Sequence, residues 1–288
     1  MKILVTGATG QLGSLVVETL LKTVPAEQIV VSVRNPEKAE ALRARGVEVR
    51  QGDFDRPETL DAAFAGIDRL LLISTDGDTE TRIRQHAEAV AAAVRAKVGF
   101  IAYTSLANAT ESPLFLAPVH RATEEAIRRT GIPYSFLRNN WYLENESTSI
   151  RAVLGGAPWV TSAGSGKVGF ATRRDYAEAA AAVLTGSGHE NTIYELSGKP
   201  VTQDEFVSTL AGVLGREVPL VKVSDAGYAD IMRQAGVPEP VVPFLVAIQG
   251  GIRDGSLEIH STDFEKLLGR PATPIGDGLR TLVDQLKA

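Results

Sequence analysis

The chain predicts an α/β fold: a doubly wound parallel sheet followed by a smaller, mostly helical C-terminal region. Three observations carry this reading. Thr6-Gly7-Ala8-Thr9-Gly10-Gln11-Leu12-Gly13 is a glycine-rich turn between an apolar run and an amphipathic run. Short β-branched runs then alternate with helical runs through the first half, the pattern of strands joined by crossover helices. In the second half that rhythm weakens and helical patterns dominate.

Taken in order, Ile3–Val5 is the first strand and Leu12–Lys22 the first helix. Gln28–Val33 is a β-branched run and reads as the second strand. Glu37–Arg45 is helical and stops near Gly46; Val47–Gln51 is the third strand. Pro57–Phe64 is a helix, and Leu70–Ser74 a short apolar strand of the fully buried type. Thr79–Ala96 is a long alanine-rich helix, followed by a strand at Phe100–Thr104. Val119–Arg129 is helical up to Gly131, and Tyr134–Arg138 is another strand. Asp175–Leu184 is a helix and Ile193–Leu196 a short strand. Thr202 and Glu205 form a capping box that starts a helix ending at Gly215, with Val201 and Phe206 placed to staple it. Two or three further helices complete the chain. A soft boundary near residue 150 separates a dinucleotide-binding region, 1–150, from a substrate-binding region, 151–288, and the chain is expected to re-enter the sheet beyond it.

The glycine turn is the most informative stretch. Its spacing is G-x-x-G-x-x-G, set on the first strand and opening the first helix. Glycines there permit a tight turn, close approach of backbone to a pyrophosphate, and close helix–strand packing. The helix N-terminus adds free N–H groups and partial positive charge. Gly7, Ala8, Thr9, Gly10, Gln11 and Leu12 are therefore cofactor-binding candidates in a Rossmann-type fold.

Composition narrows the function. The 288 residues are 44% apolar and 23% charged, ordinary for a soluble globular protein. A net charge of −5 argues against a nucleic-acid partner. With no cysteine, disulfides, thiol catalysis and Cys-zinc sites are excluded, and the four histidines show no metal spacing. No apolar run approaches the roughly 18 residues of a membrane helix. The N-terminus passes straight into a strand, so a cytoplasmic protein with no membrane partner is expected. Oligomeric state stays open, with a homodimer the default for a soluble enzyme.

The end of the second strand selects the cofactor. An NAD site usually has an Asp or Glu there for the ribose 2′-OH. This chain has Val33-Arg34-Asn35, with no carboxylate. Arg34 can fork onto a 2′-phosphate, with Lys38 adding charge, which favours NADPH; as a solvated loop residue it would favour neither. Asp53, at the end of the third strand, is either an adenine contact or a turn aspartate.

Catalytic chemistry is harder to place. A typical short-chain dehydrogenase carries Ser on the fifth strand and Tyr-x-x-x-Lys on the next helix. Tyr103-Thr104-Ser105 ends that strand here, so Tyr103 and Ser105 are candidates. The Tyr and Lys positions hold His120 and Glu124. His120 is either a proton donor or a polar residue lining a pocket or a helix surface. His86 reads as structural, and Arg82 and Arg84 as a solvated face. Asn139-Asn140-Trp141-Tyr142 lies beyond a strand's carboxyl end, where ligands of open α/β sheets bind, and its rings either stack on a planar ligand or pack. Arg173 and Arg174 precede a helix that Asp175 can cap, and either reaches a ligand or is exposed.

These stretches, with Leu71-Leu72-Ile73-Ser74, Leu137-Arg138-Asn139, Ala171-Thr172-Arg173 and the ending Lys266-Leu267-Leu268-Gly269-Arg270-Pro271, occur in the order of a known group. Together they resemble the NmrA-like atypical short-chain dehydrogenases, nearest to their quinone-reducing and triphenylmethane-dye-reducing members. The resemblance implies NADPH held by residues 7–12 and Arg34. It implies a cleft lined by Ser74, Thr75, Asp76 and Asn139 on the cofactor side, and by Asn140, Trp141, Tyr142, Leu143, Glu144 and Arg173 on the substrate side. The missing Tyr/Lys pair agrees with the group. A quinone or cationic dye takes hydride into a stabilising π system, so solvent can supply any proton. The implied activity is NADPH-dependent reduction of a quinone-like, conjugated planar acceptor. The alternative is a redox sensor of the NmrA type, which binds dinucleotide without turnover and controls a partner protein.

Overall fold

The computed structural model describes residues 1–287. Its strands are β1 (Ile3–Thr6), β2 (Ile29–Val33), β3 (Glu48–Gln51), β4 (Arg69–Leu72), β5 (Phe100–Leu106), β6 (Tyr134–Asn139), β7 (Trp159–Thr161), β8 (Lys167–Val168), β9 (Thr192–Leu196), β10 (Val201–Thr202) and β11 (Leu220–Lys222). Its helices are α1 (Gln11–Leu20), α2 (Glu40–Arg43), α3 (Leu60–Phe64), α4 (Thr79–Arg95), α5 (Ala117–Arg129), α6 (Ser147–Leu154), α7 (Arg173–Thr185), α8 (Gln203–Leu214), α9 (Asp225–Gln234), α10 (Val242–Arg253), α11 (Asp263–Leu268) and α12 (Ile275–Lys287).

Seven strands form one parallel sheet in the order β3-β2-β1-β4-β5-β6-β9. The order reverses between β1 and β4, the switch point at which open sheets of this kind bind ligands. β1 is buried on both faces, which its unbroken Ile3-Leu4-Val5 run requires. Ile3 and Val5 enter a core shared with α1 and α7; Leu4 enters the opposite core, beneath α3, α4 and α5. A third core lies among α6, α8, α10 and α12. The second half returns to the sheet through β9, and α7 packs on α1.

Local signals account for the boundaries. Thr202 and Glu205 make the reciprocal capping box, and Gly215 closes α8 in the left-handed conformation at φ 67°. Asp78 caps α4 by accepting the Thr81 N–H. Thr172, not Asp175, caps α7: the Thr172 hydroxyl accepts the Asp175 N–H, and Asp175 is fully buried against Thr273. The expected strand at Leu70–Ser74 ends at Leu72, because the next three amides leave the ladder for side-chain acceptors described below. β7 and β8 escaped prediction: their partners β11 and β10 lie far along the chain. No helix among the described residues is long and apolar enough to cross a membrane.

Candidate functional site

A cleft of about 700 Å³ opens at the carboxyl ends of β1, β2 and β4. Its floor is the glycine turn. Gly7 takes a positive φ of 59°, a conformation that favours glycine. A Cβ on Gly13 would stand 2.2 Å from the Gly7 carbonyl oxygen, so only glycine lets α1 pack this close to the turn. Gly10, the N-cap of α1, offers no side-chain cap, and the first turn carries no acid. The first α1 amides therefore face the cleft without intrahelical partners, as an anion site needs. Gly7, Thr9, Gly10, Gln11 and Leu12 all line it; Ala8 does not, being 1% exposed in the α1 core.

Arg34 lines the same cleft and is exposed, with no ion pair among the described residues. Lys38 is exposed and outside the lining. Asp53 lines the cleft, and its Oδ1 accepts the Asp55 N–H at 3.0 Å, the geometry of a turn aspartate. Asp55 in turn receives Arg84 and Gln85, each at 2.9 Å. Ser32 Oγ and Gln85 Oε1 belong to cleft-lining residues yet are buried without a hydrogen-bond partner. Orphaned polar atoms of this kind await a ligand or water.

Ser74, Thr75 and Asp76 line the opposite wall. Three consecutive backbone amides hold that wall: Ile73 N–H donates to Thr6 Oγ1 at 2.9 Å, Ser74 N–H to Thr104 Oγ1 at 2.9 Å, and Thr75 N–H to His86 Nε2 at 3.0 Å. His86 is fully buried, with its pKa pushed down to about 3 by burial and by the Arg82 cation. Arg82 does not belong to a solvated face as expected. It is 8% exposed on the inner side of α4, beside His120, whereas Arg84 is exposed.

The three catalytic candidates stand apart from the cleft lining. Strand alternation aims Thr104 at the cleft and Tyr103 and Ser105 at the α4–α5 side. Tyr103 is fully buried, and burial pushes its hydroxyl pKa well up. Its hydroxyl meets His120 Nδ1 at 2.9 Å. His120 is 6% exposed, its pKa pushed down to about 3 by burial and the Arg82 cation, so it carries no spare proton near neutral pH. Ser105 donates to Glu124 at 2.6 Å. Glu124, at the position of the missing Lys, grips Arg138 through both oxygens at 2.9 and 2.8 Å. That is a buried ion pair holding α5 to β6 rather than a proton-transfer device.

The segment after β6 divides. Asn139 Nδ2 donates to the Tyr142 hydroxyl at 3.0 Å, and Tyr142 lines the cleft. Arg173 lies over the Tyr142 ring at 5.2 Å and also lines it. Glu144 takes the Arg173 backbone N–H at 3.1 and 3.0 Å, fixing that arginine at the start of α7. Asn140 and Leu143 point elsewhere: Asn140 binds Ser197 and the Leu257 carbonyl, and Leu143 is 2% exposed in the α6–α12 core. Trp141 packs against that same core and donates to Glu146. Sequence reasoning did not single out Thr6, Thr104 or Gln85, which line the cleft. A larger cavity of about 930 Å³, between the end of β9 and the loop before α12, contains none of the candidates.

Comparisons with known proteins agree with this geometry. The model of the NmrA-like family matches residues 1–250. Quinone oxidoreductase 2 of Escherichia coli is 42% identical over 281 residues, covering 97% of this chain and 98% of that protein. The triphenylmethane reductase of Citrobacter sp., solved in complex with NADP(H), superposes with a TM-score of 0.94 at 46% identity, over 99% of this chain and 100% of that one. The NADPH complex of the E. coli NADPH-dependent quinone oxidoreductase superposes with a TM-score of 0.91 at 42% identity, over 97% and 99% of the two chains.

Proposed function

The chain belongs to the NmrA-like family, and we propose that it is an NADPH-dependent reductase that passes hydride to a quinone or similar conjugated planar acceptor, triphenylmethane dyes included. One observation carries the reading: a cleft at the sheet's switch point joins an uncapped helix N-terminus to an arginine at the end of β2, with no carboxylate in the arginine's place. The similarity to a quinone oxidoreductase and a triphenylmethane reductase over nearly the whole chain supports it.

The residues fit NADPH. The α1 amides would take the pyrophosphate, Arg34 the 2′-phosphate, and the orphaned Ser32 and Gln85 oxygens would find donors. Bound there, NADPH supplies the hydride. The chain's own contribution is orientation and exclusion of water. Tyr142 and Arg173 form a planar wall beside the Ser74–Asp76 loop, suited to a flat conjugated ring. We place the acceptor between this wall and the region 151–288.

The test is anaerobic NADPH oxidation with and without a panel of quinones and triphenylmethane dyes, with NADH for comparison. Acceptor-dependent turnover that favours NADPH supports the reading. Tight NADPH binding with no turnover on any acceptor points to the sensor alternative.

A further inference from the structure

We propose that Gln85 reads the base of the bound dinucleotide, its side-chain carbonyl accepting the 6-amino group of adenine. The inference rests on the NADPH-binding reading above.

Gln85 is the residue of α4 that lines the cleft, and it is 8% exposed. Its Nε2 donates to Asp55 Oδ1 at 2.9 Å, and Arg84 donates to the same oxygen at 2.9 Å. These hydrogen bonds hold the Asp55 carboxyl below the usual carboxylate range, so at neutral pH it is an acceptor only. The NH₂ end of the Gln85 amide must therefore face Asp55, and the carbonyl must face away from it. Gln85 Oε1 is buried and has no partner among the described residues. A buried carbonyl in that state calls for a donor.

The place of the amide selects the donor. Asp55 lies in the turn after β3, and Gly52, Asp53 and Phe54 line the cleft with it. Arg34, proposed for the 2′-phosphate, directly follows β2, the strand paired with β3. With the ribose held at β2, the base extends toward β3, where Gln85 arrives from α4. Adenine's exchangeable donor is the 6-amino group, while N7 accepts. Asp53, the other candidate for the base, has Oδ1 engaged by the Asp55 N–H at 3.0 Å. Hypoxanthine is the informative contrast. It carries an oxygen in place of the amino group, so it would set two acceptors against each other and leave Gln85 Oε1 orphaned.

The experiment measures Kd by isothermal titration, with no acceptor present, for NADPH and for its hypoxanthine analogue. Wild type, Q85M and D55A are compared. Wild type binds NADPH about 10- to 100-fold more tightly than the analogue. Methionine fills the space of the amide without its carbonyl or N–H groups. Q85M therefore brings the two Kd values together by weakening NADPH, with the analogue bound no more weakly than by wild type. D55A changes an exposed loop position and lets the amide turn either end to the base, so the preference shrinks although Gln85 is intact. Effects on phosphate binding cancel in the ratio. Equal Kd values in wild type overturn the proposal, as does the wild-type ratio kept by Q85M or by D55A. A wild type that binds neither dinucleotide overturns the NADPH reading, and this inference with it.

Discussion

His86 Nε2 accepts the Thr75 backbone N–H at 3.0 Å, while Nδ1 of the same ring meets Thr123 Oγ1 at 2.8 Å. One buried imidazole therefore ties a cleft-lining loop to α5. An amide can only donate, so Nε2 is bare and Nδ1 carries the proton; Thr123 passes the chain on to the Val119 carbonyl at 2.8 Å. His86→Ala leaves the Thr75 amide and the Thr123 hydroxyl without this partner, at a cost of about 1–3 kcal/mol. Urea unfolding is expected to show that loss, and dinucleotide titration a weaker Kd.

Stability should depend on the buried histidines with a definite sign. His86 and His120 have folded pKa values lowered from 6.5 to about 3. Between those values the unfolded chain binds protons that the folded chain refuses. Stability is therefore complete above about 6.5 and falls as pH drops toward about 3. Each histidine contributes a slope of up to about 1.4 kcal/mol per pH unit. Urea midpoints measured down this range should fall less steeply in His120→Gln. An identical slope in that variant would contradict the assignment.

Arg34 should decide the cofactor. Arg34→Ala removes the fork proposed for the 2′-phosphate and weakens NADPH binding about 10- to 100-fold, the worth of one or two charge-assisted hydrogen bonds. NADH binding should change little, since it has no 2′-phosphate. Isothermal titration with both cofactors checks the difference; equal losses would remove Arg34 from cofactor selection.

The glycine turn makes a graded prediction. A Cβ at Gly13 would meet the Gly7 carbonyl at 2.2 Å and Ala8 Cα at 2.9 Å, all rigid backbone. At Gly10 the nearest atom is 3.2 Å away. Gly13→Ala should therefore cost about 1–3 kcal/mol and most cofactor affinity, with Gly10→Ala milder in both. Thermal melts and dinucleotide titration rank the two variants.

The cofactor cleft was legible because its signals are local: glycine spacing, a strand before it, a helix after it, and the residue at the end of β2. The catalytic candidates on β5, Tyr103 and Ser105, fall outside the cleft lining through strand parity. The sequence marks where β5 ends, but not that Thr104, rather than Tyr103 or Ser105, turns toward the cleft. On α4, the stretch Thr79–His86 holds a single apolar residue, Ile83, so no apolar stripe revealed that Arg82 and His86, four residues apart, share the inner face.

The most direct measurement of the central claim follows the hydride itself. NADPH carrying deuterium on the transferring face of its nicotinamide is oxidised by the protein with a triphenylmethane dye as acceptor, and the colourless product is analysed by mass spectrometry. The account predicts one deuterium on the dye's central carbon. An unlabelled product, or bound NADPH that never passes its hydride on, would contradict it.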